Sequence, residues 1–259
     1  MRIAAGVEYD GTQFRGWQCQ AGQRTVQSSL ESAVAFVANH PVNVVTAGRT
    51  DAGVHASCQV VHFDTVASRT PYQWQRGANT KLPGDISLLW VKEVAEGFHA
   101  RFSARKRSYR YIILNRPAPS ALFNARVFWE HRELDVDAMR IAAAPLIGEH
   151  DFSSFRAAGC QASGPVRNLF QLNIGQFANW IWFDMVANAF LQHMVRNIVG
   201  TLMMVGSGDR PEQWPAQVLE ARDRSQAGAT ATPDGLYLSE ISYPDKYGLP
   251  ARIFPVRYW

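Results

Sequence analysis

Ala47-Gly48-Arg49-Thr50-Asp51-Ala52-Gly53-Val54-His55-Ala56 lies between two segments of strand-like composition, 42–47 and 57–63. The two glycines of the stretch permit backbone conformations and close approaches that other residues resist. We therefore predict a loop held by a strand on each side, a common location for functional residues. Arg49 and Asp51 are two residues apart in it and can shape one site. Taken alone, the pair also fits a tight turn with a weak surface ion pair.

Strand and helix patterns alternate outward from this loop. Alternating apolar residues predict strands, and apolar residues spaced three and four apart predict helices. The predicted strands are 2–9, 42–47, 57–63, 86–94, 108–114, 170–174, 180–186 and 236–241. The predicted helices are one that Thr25 caps and Pro41 stops, 72–81, 135–146, 190–205 and 211–222.

The order of these elements predicts the fold class. Strands outnumber helices, and neighbouring strands can pair as hairpins. We expect an α+β protein with a mainly antiparallel mixed sheet that helices cover on one face. A similar alternation occurs twice, which predicts two similar halves. The N-terminal half, 1–104, carries the 47–56 loop, and the C-terminal half is 105–259.

The composition is that of a packed protein from a reducing compartment. The chain has 259 residues, of which 47% are hydrophobic, enough for a sizeable core. The best apolar run, 198–205, is too short to cross a bilayer, and the N-terminus shows no leader pattern. Three scattered cysteines make a poor disulfide framework. We expect a cytoplasmic protein without a membrane partner.

Positive charge is concentrated in one part of the chain. The net charge is only +4, but residues 97–129 contain no Asp or Glu. Basic side chains contact phosphates and aromatic faces stack on bases, so this basic strip predicts contact with RNA. The alternative is a solvated basic face. The strip contains Arg101, Arg105, Lys106, Arg107, Arg110, Arg116 and Arg126, with Phe98, Phe102, Tyr109 and Tyr111 between them.

Five motifs are spread over most of the chain. They are Glu8–Thr12 with Gly16–Gln18, Thr25–Gln27 with Leu30–Glu31, Gly48–Ala56, Phe98–Ala104 with Tyr109–Tyr111, and Asn188–Leu191 with Met194–Gly200. Together, and in this order, they resemble the tRNA pseudouridine(38–40) synthase family, the TruA-type enzymes. The Arg-Thr-Asp-x-Gly-Val-His core is highly specific, whereas 232–238 fits the family pattern loosely.

The resemblance implies a fold and a reaction. The fold would be that of pseudouridine synthases, with an active-site cleft between the halves. The reaction would isomerise uridine to pseudouridine at positions 38, 39 and 40 of the tRNA anticodon stem-loop. The N1–C1′ bond breaks, the uracil turns over and C5 joins C1′. Nothing is oxidised and no group is imported, so no cofactor is expected. A carboxylate suits the attack on C1′ or on C6, and Asp51 is the candidate.

The resemblance also assigns four further site residues. Tyr109 would remove or relay the C5 proton and stack on the uracil; its alternative is an ordinary sheet aromatic. Arg196 would pair with Asp51 and favour its charged form; its alternative is a surface arginine. Arg49 would fill the gap left by an extruded uridine. Leu236 would pack against the flipped base; its alternative is a core strand residue.

Family membership predicts a homodimer in which two subunits cradle one tRNA. No metal is expected, because His55, Cys58 and His62 lack a fourth ligand at zinc-like spacing. Two rival functions remain. One is a non-catalytic RNA-binding protein that uses the same basic strip, and the other is a nucleoside hydrolase or glycosylase that releases the base.

Overall fold

The structure, a computed structural model, describes residues 1–250 and 256–258. Strands and helices alternate along these residues, with strands in the majority. In chain order they are β1 (Arg2–Tyr9), α1 (Val26–Ala38), β2 (Val45–Thr46), β3 (His55–Asp64), α2 (Pro71–Asn79), β4 (Ile86–Val94), β5 (Lys106–Asn115), β6 (Phe128–Glu130), α3 (Val136–Ala143), β7 (Gly148–Asp151), β8 (Val166–Phe177), β9 (Trp180–Ala187), α4 (Met194–Gly206), α5 (Trp214–Ala221) and β10 (Leu236–Ser242).

The chain packs as two units. The first contains Met1–Arg105 and Tyr237–Val256, and the second contains Lys106–Leu236 and Arg257–Trp259. The sequence division at 104/105 is one residue from the first of these boundaries. It differs at the other end, because most of β10 pairs within the first unit. The return of the chain to the first unit depends on the pairing of β10 with β3, which are far apart in the sequence, so no local pattern reveals it.

The sheet of the first unit has the strand order β4-β1-β3-β10. Strand β1 is antiparallel to both of its neighbours, whereas β10 is parallel to β3. One edge of β3 is divided between two partners: β2 pairs with it at His62, and β10 pairs with it at His55. Strand β2 is much shorter than the predicted 42–47, because only Val45 and Thr46 pair with β3. Residues 47–54 therefore leave the sheet as a loop.

Helix ends in the first unit follow from local capping. The Thr25 side chain accepts the Ser28 N–H at the start of α1, and left-handed Asn39 ends the helix before Pro41. Thr70 and Gln73 form a capping box at the start of α2. Helix α2 is anchored to the sheet by Trp74, whose ring meets Phe63 of β3 edge-on at 5.3 Å.

The sheet of the second unit has the order β5-β9-β8-β7, with β6 parallel to β5. Side chains alternate between its faces. Ile181, Phe183 and Met185 of β9 are buried, whereas Trp182 and Asp184 on the opposite face are half-buried. The α+β class and the mainly antiparallel pairing are thus confirmed. Strands β6 and β7 were not predicted, because each is too short to show a period.

Two predicted helix starts are wrong. Helix α4 begins at Met194 rather than at 190, since His193 is left-handed at φ 62° and interrupts the helical backbone. Met194, Ile198 and Leu202, which follow one another at a spacing of four, are buried on one side of the helix, whereas Phe190 lies outside it. Helix α5 begins at Trp214 rather than at Pro211, which instead opens a turn.

Among the described residues, no helix combines the length and the apolar character that a membrane span requires.

Helix α4 touches a neighbouring backbone directly. A Cβ on Gly200 would lie 1.9 Å from the Ala229 carbonyl oxygen. On the other side of this contact, the Gly228 N–H donates to the Thr201 hydroxyl at 3.1 Å. The glycine therefore allows residues 228–231 to lie against the helix.

We predict that Gly200→Ala destabilises the protein. Helix propensity alone would favour alanine by about 1 kcal/mol, but the overlap with a backbone carbonyl should reverse the sign and cost about 1–3 kcal/mol. Urea unfolding midpoints measure the effect. The matched control is Gly206→Ala, because there the Cβ would meet the flexible thioether of Met139 at 2.9 Å. An unchanged or raised midpoint in Gly200→Ala would contradict the packing argument.

Candidate active site

The loop between β2 and β3 presents two charged side chains on either side of a buried one. Arg49 is exposed, Thr50 is buried and Asp51 is half-buried. The Thr50 hydroxyl lies 2.8 Å from the buried Tyr9 hydroxyl, and the Thr50 carbonyl accepts the Trp17 N–H at 3.0 Å. Because Thr50 is held at both its side chain and its backbone, its two charged neighbours point away from the core.

The two ends of the loop are also fixed. The buried Gln59 amide donates to the Gly48 carbonyl at 2.6 Å. After Asp51 the chain turns sharply: the Val54 N–H donates to the Asp51 carbonyl at 3.2 Å, and Gly53 takes a positive φ of 79°. That conformation favours glycine. The carboxylate of Asp51 therefore lies on a short, well-anchored segment.

A second segment lies directly against the loop. Gly16 has a φ of 86°, and a Cβ there would lie 2.8 Å from the Thr50 carbonyl oxygen. The Gly53 N–H donates to the Phe14 carbonyl in the same contact. Two of the sequence motifs therefore pack against each other, the one around Gly16 and Trp17 and the one around Asp51. Each motif helps to hold the other in place.

His55, which follows the loop, is a structural residue. It is 1% exposed, and its ring stacks on Tyr237 of β10 at 4.6 Å. Its Nδ1 accepts the Gly11 N–H at 3.0 Å and lies 3.2 Å from Asp10. His62 is also engaged, since its Nδ1 accepts the Ala100 N–H at 3.1 Å. Across the described residues, no group of three or more His, Cys, Asp or Glu side chains is placed to hold a metal ion.

Tyr109 lies in β5 of the second unit. Its ring is half-buried and meets Phe190 edge-on at 5.0 Å. Tyr111, two residues further on the same face, is fully buried and its hydroxyl donates to the Thr232 carbonyl at 2.9 Å. Burial raises the pKa of Tyr111 well above its ordinary value. Tyr111 is therefore the structural sheet aromatic, whereas Tyr109 keeps part of its ring accessible.

Arg196 lies in the first turn of α4 and is bound to the segment before β10. Its Nε donates to the Ala231 carbonyl at 2.7 Å, and the Ala231 N–H donates to the Arg196 carbonyl at 3.2 Å. The side chain is half-buried. The Arg196 side chain is therefore fixed to a neighbouring segment, and its pairing with Asp51 stays a prediction.

Leu236 is the first residue of β10 and is 5% exposed. The preceding Gly235 has no room for a side chain, because a Cβ would lie 2.5 Å from the Ile112 carbonyl oxygen. The burial agrees with the alternative of a core strand residue, and a contact of Leu236 with a flipped base stays a prediction.

The predicted site residues form two groups. Arg49 and Asp51 share the loop of the first unit, whereas Tyr109, Arg196 and Leu236 belong to the second. The sequence assigned no role to Tyr9, which anchors the loop through Thr50. The sequence did contain a hint of this role, because Tyr9 lies inside the motif Glu8–Thr12. Strand alternation alone, however, predicts only that Tyr9 is a core residue.

The basic strip is only partly an exposed surface. Arg110 is buried and forms a bidentate ion pair with Asp184, at 2.7 and 2.6 Å, so its place on an RNA-contacting face was predicted wrongly. The acidic partner comes from β9, far outside the strip, and so could not be seen in its composition. The basic residues exposed in this strip are Arg101, Arg105, Lys106 and Arg126.

Comparison with known proteins gives concordant results. A family described as tRNA pseudouridine synthase matches residues 5–103 and 142–244. The chain is similar to proteins named tRNA pseudouridine synthase A: it is 56% identical to that of Nitrosococcus oceani over all of both chains. It is 54% identical to that of Alcanivorax borkumensis, over 96% of this chain and 94% of the relative. A solved structure titled as a Cbf5-Nop10-Gar1 complex matches 78% of this chain and 54% of that chain at 9% identity, with a TM-score of 0.34; that similarity is too weak to carry an argument.

The buried hydroxyl pair under the loop generates a stability prediction. Tyr9→Phe or Thr50→Val alone leaves a buried hydroxyl without its partner, which should cost about 1–3 kcal/mol. Tyr9 is 2% exposed, so water cannot replace the lost bond, and the same burial raises its pKa to about 12. The double variant removes both groups, so its loss should fall below the sum of the single losses by about 1 kcal/mol or more.

Urea unfolding of the four proteins in this cycle measures that coupling, and the double variant is its internal control. Strictly additive losses would show that the two hydroxyls do not interact.

Proposed function

This chain belongs to the tRNA pseudouridine synthase family and isomerises uridine to pseudouridine in tRNA, and we propose that Asp51 is its nucleophile. The proposal rests on the position of Asp51 in its anchored loop. Asp51 is half-buried on a segment fixed by Thr50, Gly48 and the turn at Gly53. A nucleophile held on a rigid support loses little freedom when it meets its substrate.

The isomerisation places one demand on the carboxylate. It must add to C1′ of the ribose, where it displaces N1, or to C6 of the base. It leaves again when C5 displaces it from C1′, or, on the C6 route, when the C5 proton is lost after the C5–C1′ bond has formed. Both routes need an ionised aspartate at the start. Neither route oxidises or reduces the substrate, and the atoms of uridine are conserved. We therefore propose that protein side chains alone carry the reaction, without a cofactor.

Tyr109 and Arg196 are the proposed partners of Asp51 in this reaction. Tyr109 is suited to remove or relay the C5 proton, because its ring is partly accessible while Phe190 fixes its orientation. Arg196 is suited to keep the nucleophile ionised, because its guanidinium is held by Ala231 and so loses little freedom on pairing.

Arg49 and Leu236 are proposed to hold the substrate. The exposed Arg49 side chain can occupy the space that an extruded uridine leaves in a stem. Leu236 can offer an apolar surface to the flipped base. A uridine inside the anticodon stem has to leave its stack before any side chain reaches C1′, and the family resemblance assigns Arg49 and Leu236 to this step.

The tRNA positions that are modified, the oligomeric state and the cellular location are proposed from the family resemblance. We propose that the uridines modified are those at positions 38, 39 and 40 of the anticodon arm. We propose further that two copies of the chain act on one tRNA as a homodimer, and that they do so in the cytoplasm.

We predict that Asp51→Asn lowers turnover to less than about one-thousandth of the wild-type rate, because the amide cannot act as the nucleophile. The affinity for unmodified tRNA should stay within about threefold, since no phosphate contact is lost. Pseudouridine-specific chemical labelling measures the product. The matched control is Glu93→Gln, which removes an exposed carboxylate of the same unit and should keep full turnover.

Full turnover by Asp51→Asn would exclude Asp51 as the nucleophile. Tight tRNA binding by a wild-type protein that forms no product would instead support a non-catalytic RNA-binding protein. A drop in the mass of the treated tRNA would indicate base release, because isomerisation leaves the mass unchanged.

The predicted address is tested with substrates rather than enzyme variants. A tRNA with uridine at 38, 39 and 40 should be labelled at those positions, and the same tRNA with cytidine at all three should not be labelled. Labelling at any other uridine of the second substrate would contradict the proposed address.

A further inference from the structure

Three aromatic rings contact one another in a row that ends at the surface of the first unit. The His62 and His99 rings lie 4.7 Å apart with their planes at 59°, and the His99 and Phe102 rings lie 4.3 Å apart with their planes at 33°. Phe102 is the outermost ring and is 76% exposed. An exposed phenylalanine side chain is unfavourable in water. Here the ring packs against the ordered His99 side chain.

The support under Phe102 is rigid. The N–H groups of Arg101 and Phe102 both donate to His99 Nδ1 at 3.2 Å, and the His99 N–H donates to the Ser103 hydroxyl at 3.0 Å. His62 is fixed in the same way, by the Ala100 N–H on its Nδ1. The turn that carries Phe102 is thus bound to the ring beneath it, so the phenyl face is held ready for a partner.

Both imidazoles are neutral at physiological pH. Each Nδ1 accepts a backbone N–H, which a protonated ring could not do. Burial lowers the pKa of His62 to about 4, with smaller contributions from His99 and Arg2, and burial likewise lowers the pKa of His99. The charge next to Phe102 is that of Arg101, whose guanidinium lies over the ring with its carbon 5.5 Å from the ring centroid.

We propose that Phe102 is a stacking platform for an unpaired base of the tRNA substrate, with Arg101 beside it on the adjoining phosphate. The proposal rests on tRNA being the substrate and adds a contact outside the residues assigned to catalysis. A flat exposed ring next to a guanidinium is the combination that binds single-stranded nucleotides without regard to sequence.

The surroundings favour RNA over a protein partner. Residues 97–129 contain no carboxylate, and Arg101 and Arg105, which flank Phe102 in the sequence, are exposed. A protein-docking surface needs a contiguous apolar patch, whereas Phe102 is a single ring between charged and polar residues.

The test measures the dissociation constant of unmodified tRNA at several salt concentrations. Phe102→Ala should weaken binding about tenfold, because a stacked base is lost. Phe102→Tyr should bind within about twofold of the wild type, since the ring face is kept. The matched control is Phe36→Ala, which removes a 60% exposed phenylalanine of α1 and should not change the affinity.

Salt dependence separates stacking from charge. Phe102→Ala should leave the slope of log K against log salt unchanged, whereas Arg101→Gln should reduce its magnitude by about 1. Wild-type affinity in Phe102→Ala overturns the platform, and so does an equal loss in Phe36→Ala. A changed oligomeric state with unchanged tRNA binding would reassign the ring to a contact between copies of the chain.

Turnover by the wild-type protein is measured in parallel. If the wild type modifies tRNA while Phe102→Ala binds normally, only this inference fails. If the wild type neither binds nor modifies tRNA, the proposed function fails with it.

Discussion

The hydrogen bond between the buried hydroxyls of Tyr9 and Thr50 is the constraint on which the candidate site depends. Threonine at the centre of Arg49-Thr50-Asp51 is buried, whereas Arg49 on one side of it is exposed and Asp51 on the other is half-buried. The same bond links β1 to the loop, and the Trp17 N–H adds a second link through the Thr50 carbonyl. Removing the hydroxyls would leave the chemistry of Arg49 and Asp51 intact but would release the segment that presents them.

A second constraint of the same kind acts in the other unit. There the anchor is close backbone packing rather than a hydroxyl pair: Gly200 lets residues 228–231 touch α4. This approach brings Ala231 within reach of Arg196, whose Nε it binds. The two units thus hold their charged groups differently. The first unit uses a hydrogen bond between two buried hydroxyls, and the second uses a glycine that lets another segment pack directly on the helix backbone. Both arrangements hold a charged side chain, Asp51 in the first unit and Arg196 in the second, in a half-buried position.

Much of this could be predicted from local pattern. Strands β1 and β4 have the predicted limits, because alternation along 2–9 and 86–94 is a property of the segments themselves. The motif around Asp51 was also correctly placed in a loop. Two of the features that failed depend on distant partners: Arg110 faces Asp184 across a strand pair, and β10 returns to the first unit. The third is the backbone conformation of one residue, since a left-handed His193 delays the start of α4. Local periodicity contains no information about any of the three.

The difference between Tyr109 and Tyr111 shows how far sequence can go toward function. Both phenols lie on the same face of β5, and pattern alone treats them alike. The structure separates them by their burial and partners: Tyr111 is buried with its hydroxyl on the Thr232 carbonyl, whereas Tyr109 is half-buried with its ring edge-on to Phe190. A buried phenol bound to a carbonyl resists losing its proton, which suits a structural role. An accessible ring with a fixed orientation suits proton transfer and stacking. The family resemblance chose Tyr109 for that role, and the packing supplies a physical reason for the choice.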